Sequence, residues 1–147
     1  MKIKTQKVAE KEYDIFVKFF YEYLREIDPE FEKKKHLIDK YCKLIIIDSK
    51  YSVNWIIYDD AIAGFVIWYL YDIYEGKKGL HISEYYILKE YRRKKIGTIA
   101  LENILSKFDL EEIRLEAVVQ NKVAVSFWEK LGFKVYKFIM KKTREFL

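Results

Sequence analysis

Residues 89–101 read Lys-Glu-Tyr-Arg-Arg-Lys-Lys-Ile-Gly-Thr-Ile-Ala-Leu. Four consecutive cations, Arg92, Arg93, Lys94 and Lys95, stand directly before Ile96, Gly97 and Thr98. Ala100, Leu101, Ile104, Leu105 and Phe108 then recur at helical spacing, so a helix is expected from about residue 97. A helix start carries unpaired backbone N–H groups and the positive end of the helix dipole, which together attract phosphate. Gly97 has no Cβ and lets a ligand approach the backbone closely. The pattern reads as a pyrophosphate cradle. One glycine beside a basic run also describes a solvated turn, and the two readings stay open on these residues alone.

Other reactive side chains are sparse. Cys42 is the single cysteine, so no disulfide within the chain and no multi-cysteine metal site is expected. It sits in an apolar stretch with no histidine near it in sequence, which favours a buried thiol over a nucleophile. His36 and His81 are isolated, and no metal is expected. His81 reads as a strand-edge residue rather than a base.

The elements that must position this loop follow from periodicity. Residues 2–8 alternate charged and apolar types, a weak strand signal. Tyr13, Phe16, Val17, Phe20, Leu24 and Ile27 form a helical stripe that Asp28-Pro29 ends. Leu37, Ile38, Tyr41 and Leu44 mark a second helix. Val53, Trp55 and Ile57 alternate, Asp59-Asp60 turns, and residues 62–73 return as a long buried strand. Residues 80–88 form another strand, rich in β-branched and aromatic types. A strand at 112–119 follows the basic-loop helix. Asn121 caps a helix carrying Ala124, Phe127, Trp128 and Leu131, Gly132 ends it, and residues 133–140 return as a last strand. The order is strand, two helices, three strands, helix, strand, helix, strand: an α/β (α+β) domain spanning 1–147, built around one mixed sheet flanked by helices.

Two segments carry a resemblance. Residues 84–101, EYYILKEYRRKKIGTIAL, are similar to the acetyl-CoA-binding motif of the GNAT acetyltransferases. Arg92 matches its leading Arg or Gln and Gly97 its last small residue, while Lys95 stands where the family usually has a first glycine. Residues 121–133, NKVAVSFWEKLGF, resemble the family's C-terminal motif through Asn121, Ala124, Phe127, Leu131, Gly132 and Phe133. The resemblance is good over 80–140. The N-terminal half agrees in element order only.

The resemblance implies a GNAT acyl-CoA fold with a mostly antiparallel mixed sheet, and an acetyl-CoA-dependent N-acetyltransferase acting on a primary amine. It implies that backbone groups of Tyr85, Tyr86 and Ile87 pair with pantetheine where the sheet splays. It implies that amides from Arg93 through Lys94, Lys95, Ile96 and Gly97 to Thr98 hold the pyrophosphate. The Asn121 side chain would bond the pantetheine arm, and Phe127 and Trp128 would pack near the thioester. Many relatives have a tyrosine acid where this chain has Trp128, whose indole N–H is no useful acid. Water or a nearby tyrosine would then protonate the departing thiolate, and a backbone N–H near Ile87 would stabilise the oxyanion.

Transfer to an amine needs the neutral amine. For a lysine-like pKa near 10.4, that costs about 4.6 kcal/mol at pH 7. Glu84, just before the loop, is the candidate base. By strict alternation it shares a face with Ile82 and Tyr86. Glu116 is the runner-up, and Glu22 and Glu26 are candidates to read the charge of an amine acceptor.

The 147 residues suit one domain, and 51% are hydrophobic, enough for a real core. The formal net charge of +5 suits an anionic partner or simply solubility. The polar start does not read as a signal peptide, and no apolar stretch is long enough to span a bilayer, so the expected compartment is the cytoplasm. Two other readings remain: an acyl-CoA-binding regulatory domain without turnover, and a nucleic-acid module built on Arg92–Lys95. No nucleic-acid motif accompanies that run, so nucleic acid is the less favoured partner. A homodimer is compatible with the sequence.

Overall fold

Strand β1, Ile3–Lys7, opens the chain in a computed structural model that describes residues 2–142 and 144. Helix α1, Tyr13–Ile27, and helix α2, Phe31–Ile47, follow. The break between them falls at Asp28-Pro29, where Asp28 takes an extended conformation and its carboxylate accepts the Glu30 N–H. Strands β2, Ser52–Tyr58, β3, Ala61–Asp72, and β4, Lys78–Ile87, form an antiparallel meander. The tight turn between β2 and β3 uses Asp59 and Asp60, both with positive φ. Helix α3, Ile96–Leu105, then crosses to β5, Glu112–Leu115, which pairs parallel to β4. The sheet order is β1-β2-β3-β4-β5, mixed and mostly antiparallel, as expected.

The sheet buries both faces. On one, α1 and α2 cover Val53, Trp55, Phe65, Ile67 and Tyr86. Its centre is aromatic: Phe16 meets Trp55 edge-on at 6.0 Å, and Phe20 stacks on Phe65 at 5.7 Å. Cys42 is wholly buried in this layer, as its apolar setting implied. On the other face, α3 covers Ile56, Val66, Leu80 and Ile82 with its own Ile96, Ala100, Leu101 and Ile104. Gly64 lets β3 and β4 approach closely, because a Cβ there would stand 1.9 Å from the Tyr86 carbonyl oxygen.

Strand β4 is irregular. Ile67 pairs with Glu84 and Trp68 with Ile82, which leaves Ser83 as an extra residue. Ile67 and Trp68 are consecutive and point to opposite faces, so their partners do too. Glu84 and Tyr86 therefore lie on the α1–α2 face and Ile82 on the α3 face. This corrects the strict alternation expected from sequence. The pairing of β4 with β5 also stops at Ile82 and Leu115, next to the bulge. Strand β5 ends there rather than continuing to residue 119, because it has no pairing with β4 beyond the bulge.

Residues up to Glu116 form one compact unit and residues from Ala117 a second. Within the second, helix α4, Lys122–Lys130, is capped by Asn121, whose Oδ1 accepts the Ala124 N–H at 3.3 Å. Gly132, with φ +96°, closes it. Residues 133–140 carry no strand, contrary to the alternation of their sequence. Strand propensity describes fitness for a pleated surface, and a strand forms only where a partner supplies the ladder.

Candidate functional site: a strand edge, a basic loop and a buried glutamate

The basic loop is held in a specific backbone shape. After a short 3-10 turn at Lys89–Tyr91, Arg93 and Lys95 take left-handed conformations, φ 64° and 62°, while Lys94 between them does not. Alternation of this kind creates a concavity of backbone N–H groups that suits an anion. Lys95 thus adopts at a non-glycine position the geometry that glycine tolerates freely, at about 1–2 kcal/mol of strain. The first helical bond of α3 runs from Ile99 N to Lys95 O at 3.0 Å. The amides of Ile96, Gly97 and Thr98 precede it and have no acceptor within the helix. The Tyr85 hydroxyl donates to the Gly97 carbonyl and ties this helix start to β4.

Arg92 is placed differently from its neighbours. Its N–H donates to Lys89 O at 3.2 Å and its Nε to Ile87 O at 2.8 Å. A terminal N–H of its guanidinium donates to Glu26 Oε2 at 2.7 Å. Arg92 braces the loop against α1; all four cations of the run are exposed. Glu26 also meets Lys89 at 3.6 Å, so its charge is already balanced within the protein.

Beside the loop lies the open edge of β4. The Leu88 N–H donates to Ala63 O of β3 at 2.8 Å, so the Ile87 carbonyl, opposite it in the peptide plane, points away from β3. The Tyr86 carbonyl faces Gly64 of β3, so the Ile87 N–H also points to the open side. Past Ile82 no described strand pairs with β4 on that side. From there β4 runs through Tyr85–Ile87 directly into the basic loop.

Glu84 is set into the α1–α2 face. The Tyr23 hydroxyl of α1 donates to its Oε2 at 2.6 Å. Burial pushes the Glu84 carboxyl up to about 7, and the Tyr23 hydrogen bond pulls in the other direction. Burial likewise raises the Tyr23 phenol well above its ordinary range. Glu84 lines a cavity of ≈ 290 Å³ with Phe20 and Leu24 of α1 and Leu37, Ile38 and Tyr41 of α2. Lys34, half-exposed and paired with Asp28 at 3.2 Å, is the other charged group of the lining.

The remaining candidates separate cleanly. Glu116 is exposed just past β5, where its charge acts on His81. His81 stacks on Tyr69 at 4.9 Å, and burial lowers its pKa. Burial raises the Cys42 thiol to about 12, which keeps it protonated. In the second unit, Phe127 and Trp128 pack at 4.9 Å, and Trp128 meets Phe133 at 5.3 Å. The Asn121 oxygen is used as the cap of α4, so its side-chain N–H₂ is what it retains as donor. Sequence reasoning missed Tyr23 and the α1–α2 cavity. The signal for Tyr23 was its helical spacing from Phe16 and Phe20, a polar tip on the buried stripe.

The family model of the acetyltransferase (GNAT) family matches residues 13–133. The chain belongs to the GNAT acetyltransferase family. An N-alpha-acetyltransferase from Saccharolobus solfataricus is 42% identical over 65 residues, which cover 42% of this chain and 38% of that protein. A second N-alpha-acetyltransferase, from Sulfurisphaera tokodaii, is 38% identical over the same span of 65 residues. The matched region is thus less than half the length of these relatives. In fold, this GNAT chain is similar to a ribosomal-protein-alanine N-acetyltransferase from Brucella melitensis, with a TM-score of 0.71 at 14% identity, covering 97% and 100% of the two chains. Among the described residues, no helix is long and apolar enough to cross a membrane, and no group of three or more His, Cys, Asp or Glu could hold a metal ion.

Proposed function

We propose that this GNAT chain is an acetyl-CoA-dependent N-acetyltransferase that acts on a primary amine by direct transfer. The observation that carries this reading is a conjunction within one strand-loop-helix unit. A buried carboxylate, an opened strand edge and an anion-binding helix start follow one another between Glu84 and Thr98. The residues suit acetyl-CoA. Orphan amides at Ile96–Thr98 and the cations at 93–95 fit a pyrophosphate, and the side of β4 beyond Ile82, where no described strand pairs with it, fits the amide-bearing pantetheine. The family match crosses the boundary at Glu116, which supports reading both units as one domain and Asn121, Phe127 and Trp128 as its cofactor-side residues. The two relatives carry the name N-alpha-acetyltransferase, so α-amines are among the acceptors to try.

When bound, acetyl-CoA supplies an acetyl thioester, and the net change is formation of an amide N–C bond with loss of the thioester C–S bond and release of the thiol. The chain does the rest. Glu84, with a pKa close to neutrality, accepts the proton that the amine must lose. Tyr23 donates to Glu84 Oε2, which orients the carboxylate and favours its charged form. The Ile87 N–H, aimed at the open edge, is placed to polarise the acyl carbonyl. The released thiolate, with a pKa near 8.5, is a fair leaving group, so Trp128 in place of a tyrosine leaves its protonation to water or another hydroxyl.

Incubation with acetyl-CoA and a panel of amines tests the proposal, with thiol release and an acetylated product as readouts. Stabilisation by CoA without thiol release for any amine would favour the regulatory-domain reading instead.

A further inference from the structure

The α1–α2 cavity has a composition that selects among amines. This step rests on the acetyltransferase reading above. Five of its seven lining residues are Phe20, Leu24, Leu37, Ile38 and Tyr41, and its charged groups are Glu84 and Lys34. The cavity, ≈ 290 Å³, is open to solvent, and Lys34 and Leu37 of its lining are exposed. An amine engaging Glu84 would lay its substituent along the apolar wall. The lining holds no carboxylate besides Glu84, so a second ammonium lying against Phe20, Leu24 or Ile38 finds no partner there, and Lys34 is already paired with Asp28. Burying a cation against such a wall without a partner is costly. Of the two α1 glutamates that could read an amine's charge, Glu26 is held by Arg92 and Lys89, and neither Glu26 nor Glu22 lines the cavity.

We propose that the acceptor is a monoamine carrying one compact apolar substituent, recognised by the wall of Phe20, Leu24, Leu37 and Ile38, and that polycationic amines are excluded. Such an amine could be the α-amine of a peptide whose first side chain is apolar, or a free small amine.

The test measures kcat/KM of the full chain, with acetyl-CoA, for leucyl-glycyl-glycine, isoamylamine, lysyl-glycyl-glycine and spermidine. The leucyl peptide or isoamylamine should exceed both cationic acceptors by about tenfold or more, the scale set by burial of an unpaired charge. Which of the first two leads tells whether the amine comes from a peptide or a small molecule. The variant Leu37→Glu adds a carboxylate at a half-exposed wall position. It should narrow or reverse the ratio while stabilisation by CoA persists. Preference for spermidine or lysyl-glycyl-glycine, or a ratio that Leu37→Glu leaves unchanged, overturns this inference and leaves the acetyltransferase reading standing. Absence of thiol release with every amine overturns both.

Discussion

The Tyr23 hydroxyl donates to Glu84 Oε2 at 2.6 Å, joining the first helix to the strand that precedes the basic loop. The two residues are 61 positions apart in sequence. Their contact turns a half-buried strand glutamate into an oriented carboxylate, and the most direct tests begin with it.

Glu84→Gln keeps the shape and removes the base. Turnover at pH 7 should fall about a hundred-fold or more, with CoA affinity nearly unchanged. The deficit should shrink as pH rises and more amine becomes neutral unaided. In the unaltered protein, turnover should rise with pH through about 7 as Glu84 loses its proton. Wild-type turnover in the variant, or a loss independent of pH, would move the role to Glu116, to a water relay or to no base at all.

Glu84 also makes stability depend on pH. Its folded-state pKa is raised from 4.5 to about 7, chiefly by burial. Between those values the folded protein holds a proton that the unfolded chain has released, so stability falls as pH rises through this window. The contribution is on the order of 3 kcal/mol. Urea denaturation from about pH 5 to pH 8 should show the decline in the unaltered protein and a flatter profile in Glu84→Gln. Equal slopes in the two proteins would contradict the burial argument.

Tyr23→Phe removes the hydrogen bond that favours the charged carboxylate. The acidic limb of the pH–rate profile should move to higher pH, with the rate recovering above it. A purely structural role for Tyr23 predicts a lower melting temperature with the limb unmoved, so the profile separates the two.

Gly97→Asp should abolish binding of CoA. Gly97 is the buried second residue of α3, so circular dichroism first establishes that the variant folds. The added charge repels the pyrophosphate expected there. By contrast Lys95→Gly keeps the left-handed backbone at φ 62° without a Cβ, and binding should stay within about tenfold despite the lost cation. Thermal stabilisation by CoA reads both; full stabilisation of a folded Gly97→Asp would displace the site from this loop.

Cys42→Ala should cost about 1 kcal/mol, as small deletions in a packed core do, and leave turnover within a few-fold. A well-folded variant that has lost about a thousand-fold in rate would instead indicate a covalent intermediate on this thiol.

Sequence alone determined whatever depends on short-range chemistry. The helix stripe of Phe16 and Phe20, the stop at Asp28-Pro29, the Asp59-Asp60 turn, the Asn121 cap and the basic start of α3 all lie within a few residues of their causes. The basic loop was legible for that reason, and so was the order of elements as far as α4. Only the tertiary structure decided what depends on distant partners. The bulge at Ser83 exists in the register between β3 and β4, and it places Glu84 opposite Ile82 rather than beside it. Arg92 looked like one more phosphate-binding cation until Glu26, 66 residues away, claimed its guanidinium. Residues 133–140 have the composition of a strand and lack its ladder. The raised pKa of Glu84 comes from burial beneath α1 and α2, and no local pattern encodes how deeply a strand residue is covered.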